Sequence, residues 1–439
     1  MRRGRIPCHG LLQGGIVSKV HLWVLVDCGG VRMSSLSWLD YSEHERRKAM
    51  EVIDLFREDE TVDELGIGTI RDAFADLFFP GTSTIQTRAR YFLFVPWVYR
   101  QVESDRRASD EVATFARKLQ GRLRDALVAG GEELGVIGYR AGLNVQRLPS
   151  SVYWYGLRQW GILRFSGSEY DYHRSLDSYH RRIDGAPVID QGEPPDAIPS
   201  NWDPHLPAPP RNWLNDCRFD LMVGEAEYLI DRIAARWPQS LLSRILHHRR
   251  AIPAECQFAW EYPAVSRYGS EITEQLGHAR NFSQMMHGAA LLYNLILAEQ
   301  APGRDHTEHY REQLTLWWHQ RHARYDELSA WDRDGFWNLL TRIGAHIGER
   351  TRQFVSHWLD LATDANAIAE VMDGPEGRSL VTQREHYLKR SRVRIGNPRA
   401  LENWSGASGA SQIDYRWNRP VRAIVNDILK PLTRGTNNA

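Results

Sequence analysis

Apolar residues recur at helical spacing along most of this chain. Between Asp110 and Ala129 they fall on one stripe of a predicted helix, which ends at the pair Gly130-Gly131. The same periodicity predicts further helices over Tyr41–Arg57, Asp216–Trp237, Ser240–Arg250, Ser270–Gln300, Thr307–Ala330, Arg333–Gly348, Arg350–Ala362 and Arg419–Leu429. Helices of these lengths are typical of a bundle, so we expect a mainly α fold, a multi-helix bundle.

The stretch from Gly66 to Arg100 combines arginines and aromatic residues between two turn signals. It predicts two short helices broken at Pro80-Gly81, the second beginning after Thr82, Ser83 or Thr84 and ending near Pro96. Arg88 and Arg90 are two positions apart, so they cannot share a helical face. One of them can therefore stabilise the fold while the other contacts a binding partner.

The pattern changes between residues 136 and 185, where the segments are shorter. Leu148 to Phe165 reads as a helix that begins near two serines and runs into a glycine turn and a strand. This order predicts a small winged-helix-like α/β part in the first half of the chain.

Composition shifts divide the chain into six predicted regions. Residues 1–32 are expected to be a non-native or disordered extension, because Lys19 and His21 interrupt their apolar run and a second Met, Met33, begins a more protein-like sequence. The others are an N-terminal helical region (33–135), the winged-helix-like region (136–185), a Pro-rich linker (186–215), the helical bundle (216–375) and a basic C-terminal segment with a closing helix (376–439).

The net charge and the sequence motifs limit the classes of function that this protein can have. Lys plus Arg and Asp plus Glu both number 55, so any nucleic-acid binding must use local patches instead of a global basic field. Four scattered cysteines fit a reducing cytoplasm, and no apolar run reaches the roughly twenty residues that span a bilayer. We find no glycine-rich phosphate loop or dinucleotide motif, so no cofactor is expected. The histidine pairs lack a third ligand, so no metal is expected either.

Three clusters combine arginines with aromatic residues, as an interface for phosphates and stacked bases would. In the first, Arg88, Arg90 and Arg100 adjoin Tyr91, Trp97 and Tyr99. The second contains Arg147, Tyr153, Trp154, Tyr155, Arg158, Trp160 and Arg164, and the third contains Arg384, Tyr387, Arg390, Arg392, Arg394 and Arg399, followed by Trp404 and Trp417. Protein interiors and protein interfaces are also built this way, so each cluster has a structural alternative.

Arg280 and His287 lie seven residues apart within the long predicted helix and share one face, about 10 Å apart. An arginine that neutralises phosphate and a histidine that moves a proton could cleave RNA. The spacing, with Asn281 directly after the arginine, resembles the motif of HEPN ribonucleases. The alternative is that both residues cap or bridge neighbouring helices.

Several segments resemble an uncharacterised bacterial family that is known only by a domain-of-unknown-function label. They are Asp63–Trp97, Arg147–Trp154, Ala279–Asn294 and Asp414–Trp417, so the resemblance covers nearly everything from Met33 onward. The resemblance implies a role in anti-phage gene clusters beside helicases and phospholipase-D-like nucleases. It names no catalytic residue.

Three hypotheses follow for this cytoplasmic protein. The first is a nucleic-acid-binding or scaffold subunit of a bacterial anti-phage defence system, contacting DNA or RNA through Arg88, Arg90, Arg147, Tyr153, Trp154, Arg158, Trp160, Arg390, Arg392 and Arg394. The second is a metal-independent, HEPN-like ribonuclease toxin that uses Arg280 and His287, as a homodimer. The third is a protein-only adaptor for a helicase or nuclease.

Overall fold

The computed structural model describes residues 63–141, 145–185, 200–215, 217–301 and 306–434. The chain divides into two units, Met1–Met50 and Glu51–Ala439, and all of these residues lie in the second. The extension 1–32, the predicted helix Tyr41–Arg57 and residues 186–199 of the predicted linker lie outside the described residues. The finer division into regions stays a prediction.

The described chain is mainly helical, which confirms that part of the predicted fold. Its first half contains α1 (Gly68–Phe78), α2 (Tyr91–Asp105), α3 (Ser109–Ala129), α4 (Pro149–Gln159) and α5 (Glu169–Asp184). Its second half contains α6 (Val223–Arg236), α7 (Leu241–His247), α8 (Ser270–Gln300), α9 (Thr307–His322), α10 (Tyr325–Ser329), α11 (Arg333–Arg342), α12 (Glu349–Asp364), α13 (Ile368–Met372), α14 (Pro375–Lys389), α15 (Pro398–Leu401) and α16 (Arg422–Arg434).

The winged-helix-like part is not supported. Ser168 and Asp171 form a capping box that begins α5, so residues 169–184 are helical where a wing would need strands. Among the described residues no strand forms, and the β pairing consists of an isolated bridge between Leu163 and Trp202.

The helix that contains Pro96 also differs from its prediction. It begins at Tyr91, later than expected, and it continues through Pro96 to Asp105. Residues 91–99 are all buried, so tertiary packing outweighs the backbone hydrogen bond that a proline inside a helix removes.

The long helix α8 lies at the centre of the second half. It packs against α9, α12 and α14, and most of its side chains are buried, as expected for a helix that is apolar nearly all round. In the first half, α2 packs against α3 and α4. In the second half, α16 packs against α6 and α7.

Tryptophan side chains fill much of the core. The largest fully buried residues include Trp97, Trp160, Trp202, Trp317 and Trp358. Each uses its indole N–H in a hydrogen bond inside the protein, for example from Trp160 to the carbonyl oxygen of Pro80 at 2.8 Å. Core packing therefore accounts for most of the tryptophan content.

Candidate nucleic-acid interface

Arg88 and Arg90, in the turn that leads into α2, both lie in ion pairs. Arg88 forms a bidentate pair with Asp427 of α16, with Nε–Oδ2 and Nη2–Oδ1 distances of 2.8 and 2.9 Å. Arg90 donates to Glu225 Oε1 of α6 at 2.8 Å. Burial opposes the charge on Arg88, but the hydrogen bond and charge of Asp427 outweigh it and raise the pKa of Arg88. Both arginines are therefore matched by carboxylates and tie α2 to α6 and α16.

The aromatic residues predicted to stack on bases lie in the interior. Tyr153 and Trp160 have no exposed surface, and Trp154 is buried. The hydroxyl of Tyr153 accepts hydrogen bonds from the backbone N–H groups of Thr87 and Arg88, at 2.8 and 3.0 Å. A base cannot stack on a ring that other side chains cover, so these three residues stabilise the fold in this conformation.

The remaining arginines of the predicted interface are divided between inside and outside. Arg394 pairs with Glu64 at 2.8 Å. Arg158, Arg390 and Arg392 are exposed, and none of them forms an ion pair among the described residues. Arg147 is half-buried and also forms none within those ranges. The exposed three, scattered over α4 and the end of α14, keep charges that a polyanion can reach.

Arg280 and His287 of α8 have different surroundings. His287 donates from Nε2 to the carbonyl oxygen of Ala410 at 3.1 Å, and its Nδ1 is buried without a partner among the described residues. Burial lowers the pKa of His287 to about 4. The ring is therefore neutral at neutral pH and held against the loop at Ala410. Arg280 instead lies near Arg324 and Glu327.

Two arginines and a histidine converge on Asp203, a carboxylate with 0% exposure. Arg164 Nη2 lies 3.2 Å from Asp203 Oδ1, and Arg232 Nη1 of α6 lies 3.3 Å from Oδ2. His205 Nδ1 lies 3.6 Å from Oδ1. Arg100 of α2 contributes a further positive charge, which acts on Glu103 and on Tyr228 beside Asp203. We call the group formed by Arg100, Arg164, Asp203, His205 and Arg232 the Asp203 surface.

Local backbone pairing positions this group. The bridge between Leu163 and Trp202 brings Arg164 and Asp203 side by side, because the N–H of Arg164 donates to Asn201 O and the N–H of Asp203 donates to Ile162 O, each at 2.8 Å. The hydroxyl of Tyr228 donates to Asp203 Oδ2 at 3.1 Å. Burial, and then the charge of Asp203, raise the pKa of Tyr228, so it stays a donor.

The Asp203 surface has more positive than negative charge. Arg164 and Arg232 share the carboxylate of Asp203, which leaves one positive charge unmatched. Arg100 adds a second positive charge, and the half-buried Glu103 offsets one of the two. The exposed Asp231, next to Arg232 on α6, forms no ion pair among the described residues. The side chains of Arg164, Arg232 and His205 are 48, 25 and 80% exposed. A solvent-accessible phosphate would find two oriented guanidinium groups here.

Sequence reasoning identified only part of this surface. Arg100 and Arg164 belong to two of the Arg/aromatic clusters, and the structure brings them to the same surface. Asp203 and His205 lie in the predicted linker and Arg232 lies within a predicted helix, so composition gave no reason to select them. The signal that existed was a polar Asp-Pro-His sequence directly after a tryptophan.

Two further features concern other kinds of site. In the part of the chain that the structure describes, no group of three His, Cys, Asp or Glu residues could hold a metal ion. Over the same ranges no helix is both long enough and apolar enough to cross a membrane.

Comparison with known proteins places the chain in a family. No curated protein and no solved structure gives a significant match. The model of a family of unknown function, DUF6361, matches residues 33–427. Because that match covers most of the chain, the protein belongs to this family of unknown function.

Proposed function

We propose that this protein is a nucleic-acid-binding or scaffold subunit of a bacterial anti-phage defence system, and that the Asp203 surface contacts the phosphate backbone. The observation that carries the proposal is the convergence of two arginines, Arg164 and Arg232, on one buried carboxylate, with the charge of Arg100 acting on Tyr228 beside it. The buried carboxylate fixes the orientation of Arg164 and Arg232 without cancelling both charges. Fixed guanidinium forks suit phosphate oxygens better than mobile surface charges do, because less side-chain entropy is lost on binding.

The proposed interface recognises the charge of the phosphates and does not distinguish base sequence. The predicted stacking residues Tyr153, Trp154 and Trp160 are buried, so the interface offers guanidinium and imidazole groups. Binding of this kind releases counterions and weakens steeply with salt. The defence role, and a helicase or phospholipase-D-like nuclease as partner, come from the family resemblance and are part of the proposal.

The test compares Arg164→Gln with a control, Arg122→Gln, in fluorescence anisotropy with labelled 20-nucleotide DNA and RNA. Arg122 of α3 is exposed and forms no ion pair among the described residues, so both variants remove one surface charge. Loss of one phosphate contact should lower affinity by about five- to tenfold at 0.1 M salt and reduce the slope of log K against log salt by about one. Arg122→Gln should bind as the wild type does.

Two results would overturn the proposal. One is the absence of salt-dependent binding in the wild-type protein, and the other is equal weakening by both variants. If a partner protein then co-purifies after nuclease treatment, a protein-only adaptor becomes the better explanation.

A further inference from the structure

His205 is the most exposed side chain of the ion-paired group around Asp203. Its side chain is 80% exposed, and its Nδ1 lies 3.6 Å from Oδ1 of the buried carboxylate. Histidine is the side chain that gains or loses its charge between pH 5 and 8, whereas arginine stays charged over that range. The positive charge of the Asp203 surface can therefore change with pH at this one side chain.

A tight turn positions the imidazole. The N–H of Leu206 donates to the carbonyl oxygen of Asp203 at 3.1 Å, which closes a turn through Pro204 and His205. Proline in the second position of a turn has its φ angle fixed in advance. Trp202 before the turn and Leu206 at its end are 0 and 4% exposed, so both ends are anchored in the core. The backbone thus holds the imidazole beside Asp203, although the ring itself faces solvent.

Two cationic side chains approach the same carboxylate oxygen. Arg164 Nη2 lies 3.2 Å from Asp203 Oδ1, the atom that His205 also approaches. The other oxygen, Oδ2, already has Arg232 at 3.3 Å and the hydroxyl of Tyr228 at 3.1 Å. A protonated imidazole would donate toward Oδ1 and compete there with Arg164. Because Asp203 supplies a single negative charge, a proton on His205 adds to the positive charge that is left for an anion.

The charged and titratable groups around this histidine come from four segments. They are Asp203 on its own turn, Arg164 between α4 and α5, Tyr228, Asp231 and Arg232 on α6, and Arg100 and Glu103 on α2.

These groups couple the proton to phosphate. Asp203 attracts a positive charge on the imidazole, and the arginines repel it. A bound phosphate would neutralise the arginines and remove that repulsion, so phosphate and proton should favour each other's binding by the same factor. Burial raises the pKa of Tyr228, which therefore keeps its proton throughout. Burial also raises the pKa of Glu103, but this acid titrates alike in the wild type and in a His205 variant.

We propose that His205 is a proton-dependent phosphate contact, through which the Asp203 surface binds a nucleic-acid backbone more tightly as the pH falls from about 8 to about 6. The inference rests on the proposed function, because it assigns a regulation to the same surface. The charge of a phosphodiester does not change over this range, so the proton is taken up by the protein.

The experiment measures fluorescence anisotropy at about pH 8 and about pH 6 in 0.1 M salt. The ligand is a 20-nucleotide oligothymidylate with a 5′-hydroxyl end and a dye that is insensitive to pH, so nothing in the ligand titrates. The wild type should bind about three- to fivefold more tightly at the lower pH. His205→Gln should lose most of this gain. His205→Lys, which is charged at both pH values, should bind more tightly than the wild type at pH 8 and gain little at pH 6.

The control is His357→Gln. His357 of α12 is exposed and forms no ion pair among the described residues, so the variant removes a titratable histidine away from Asp203. It should keep the gain of the wild type. An equal loss of the gain in both glutamine variants would overturn the inference, because the overall charge of the protein, and not the position of His205, would then explain the pH dependence.

The outcomes also separate this inference from the proposed function. If the wild type binds with salt dependence at pH 8, but His205→Gln gains as much affinity at pH 6 as the wild type does, the regulation by His205 is wrong and the proposed function stands. If no salt-dependent binding occurs at either pH, both are wrong.

Discussion

Arg90 and Arg164 both contact a buried carboxylate, yet they belong to regions with opposite electrostatic outcomes. Arg90 has Glu225 to itself, and that carboxylate is 1% exposed. Arg164 shares Asp203 with Arg232, and its own side chain is 48% exposed. The first arrangement stabilises the fold, and the second leaves positive charge at the surface. The number of carboxylates that the fold supplies to each arginine, more than the number of arginines, decides which region keeps positive charge for the proposed polyanion contact.

The largest expected effect is on the stability of the fold, at the ion pair between Arg90 and Glu225. Replacing Arg90 by Met leaves Glu225 buried without its counter-charge, which should lower the free energy of unfolding by about 3–5 kcal/mol. Adding Glu225→Gln should restore part of the loss, because no unpaired charge then remains. Urea unfolding of the two variants and the wild type measures both steps.

Arg122→Met is the matched control for that experiment, since it removes an exposed arginine that forms no ion pair among the described residues. Its stability should lie within about 0.5 kcal/mol of the wild type. If Arg90→Met is as stable as this control, the ion pair with Glu225 does not stabilise the fold, and the proposed difference between the Arg90 and Arg164 regions is contradicted.

The second prediction concerns His287, a half-buried residue whose Nδ1 lies in the protein interior. Its folded pKa of about 4 lies below its usual value of 6.5, so the unfolded chain binds more protons between these pH values. The contribution of neutral His287 to the free energy of unfolding should therefore be fully present above about pH 6.5 and be lost as the pH falls toward 4. The shift corresponds to about 3 kcal/mol at most.

Comparing urea unfolding of the wild type and His287→Asn from pH 7 to pH 4 isolates this contribution, since other groups titrate in both proteins. The variant should be less stable at pH 7 and should lose less stability on acidification. Parallel pH profiles would show that His287 is not buried in its neutral form.

Much of the fold was accessible from the sequence, because it is encoded in local patterns. The stripe between Asp110 and Ala129 predicted α3, and the predicted span Ser270–Gln300 is the span of α8. The prediction failed where tertiary packing outweighs a local signal, as it does at Pro96. It also failed between residues 136 and 185, where a capping box makes α5 helical.

Much less of the candidate site was accessible. The arginines were visible, but their partners come from remote positions: Asp427 lies 339 residues from Arg88, and Glu225 lies 135 residues from Arg90. Even Asp203 lies 39 residues from Arg164. Local composition carries no information about such pairs. Arginine clusters that look alike in sequence can therefore be separated into ion-paired and unpaired arginines only with the three-dimensional structure.

The smallest effect is expected at a third group of arginines, Arg390 and Arg392. They are exposed, lie in the short 3₁₀ helix Arg390–Arg392 and form no ion pair among the described residues. The double variant Arg390→Gln, Arg392→Gln should therefore unfold within about 0.5 kcal/mol of the wild type. If oriented guanidinium groups matter more than exposed charge, it should also weaken nucleic-acid binding less than Arg164→Gln alone does, in anisotropy at equal salt. A larger loss of affinity from the double variant would place the interface at the end of α14 and would show that simple exposure, and not the sharing of a carboxylate, separates binding arginines from structural ones.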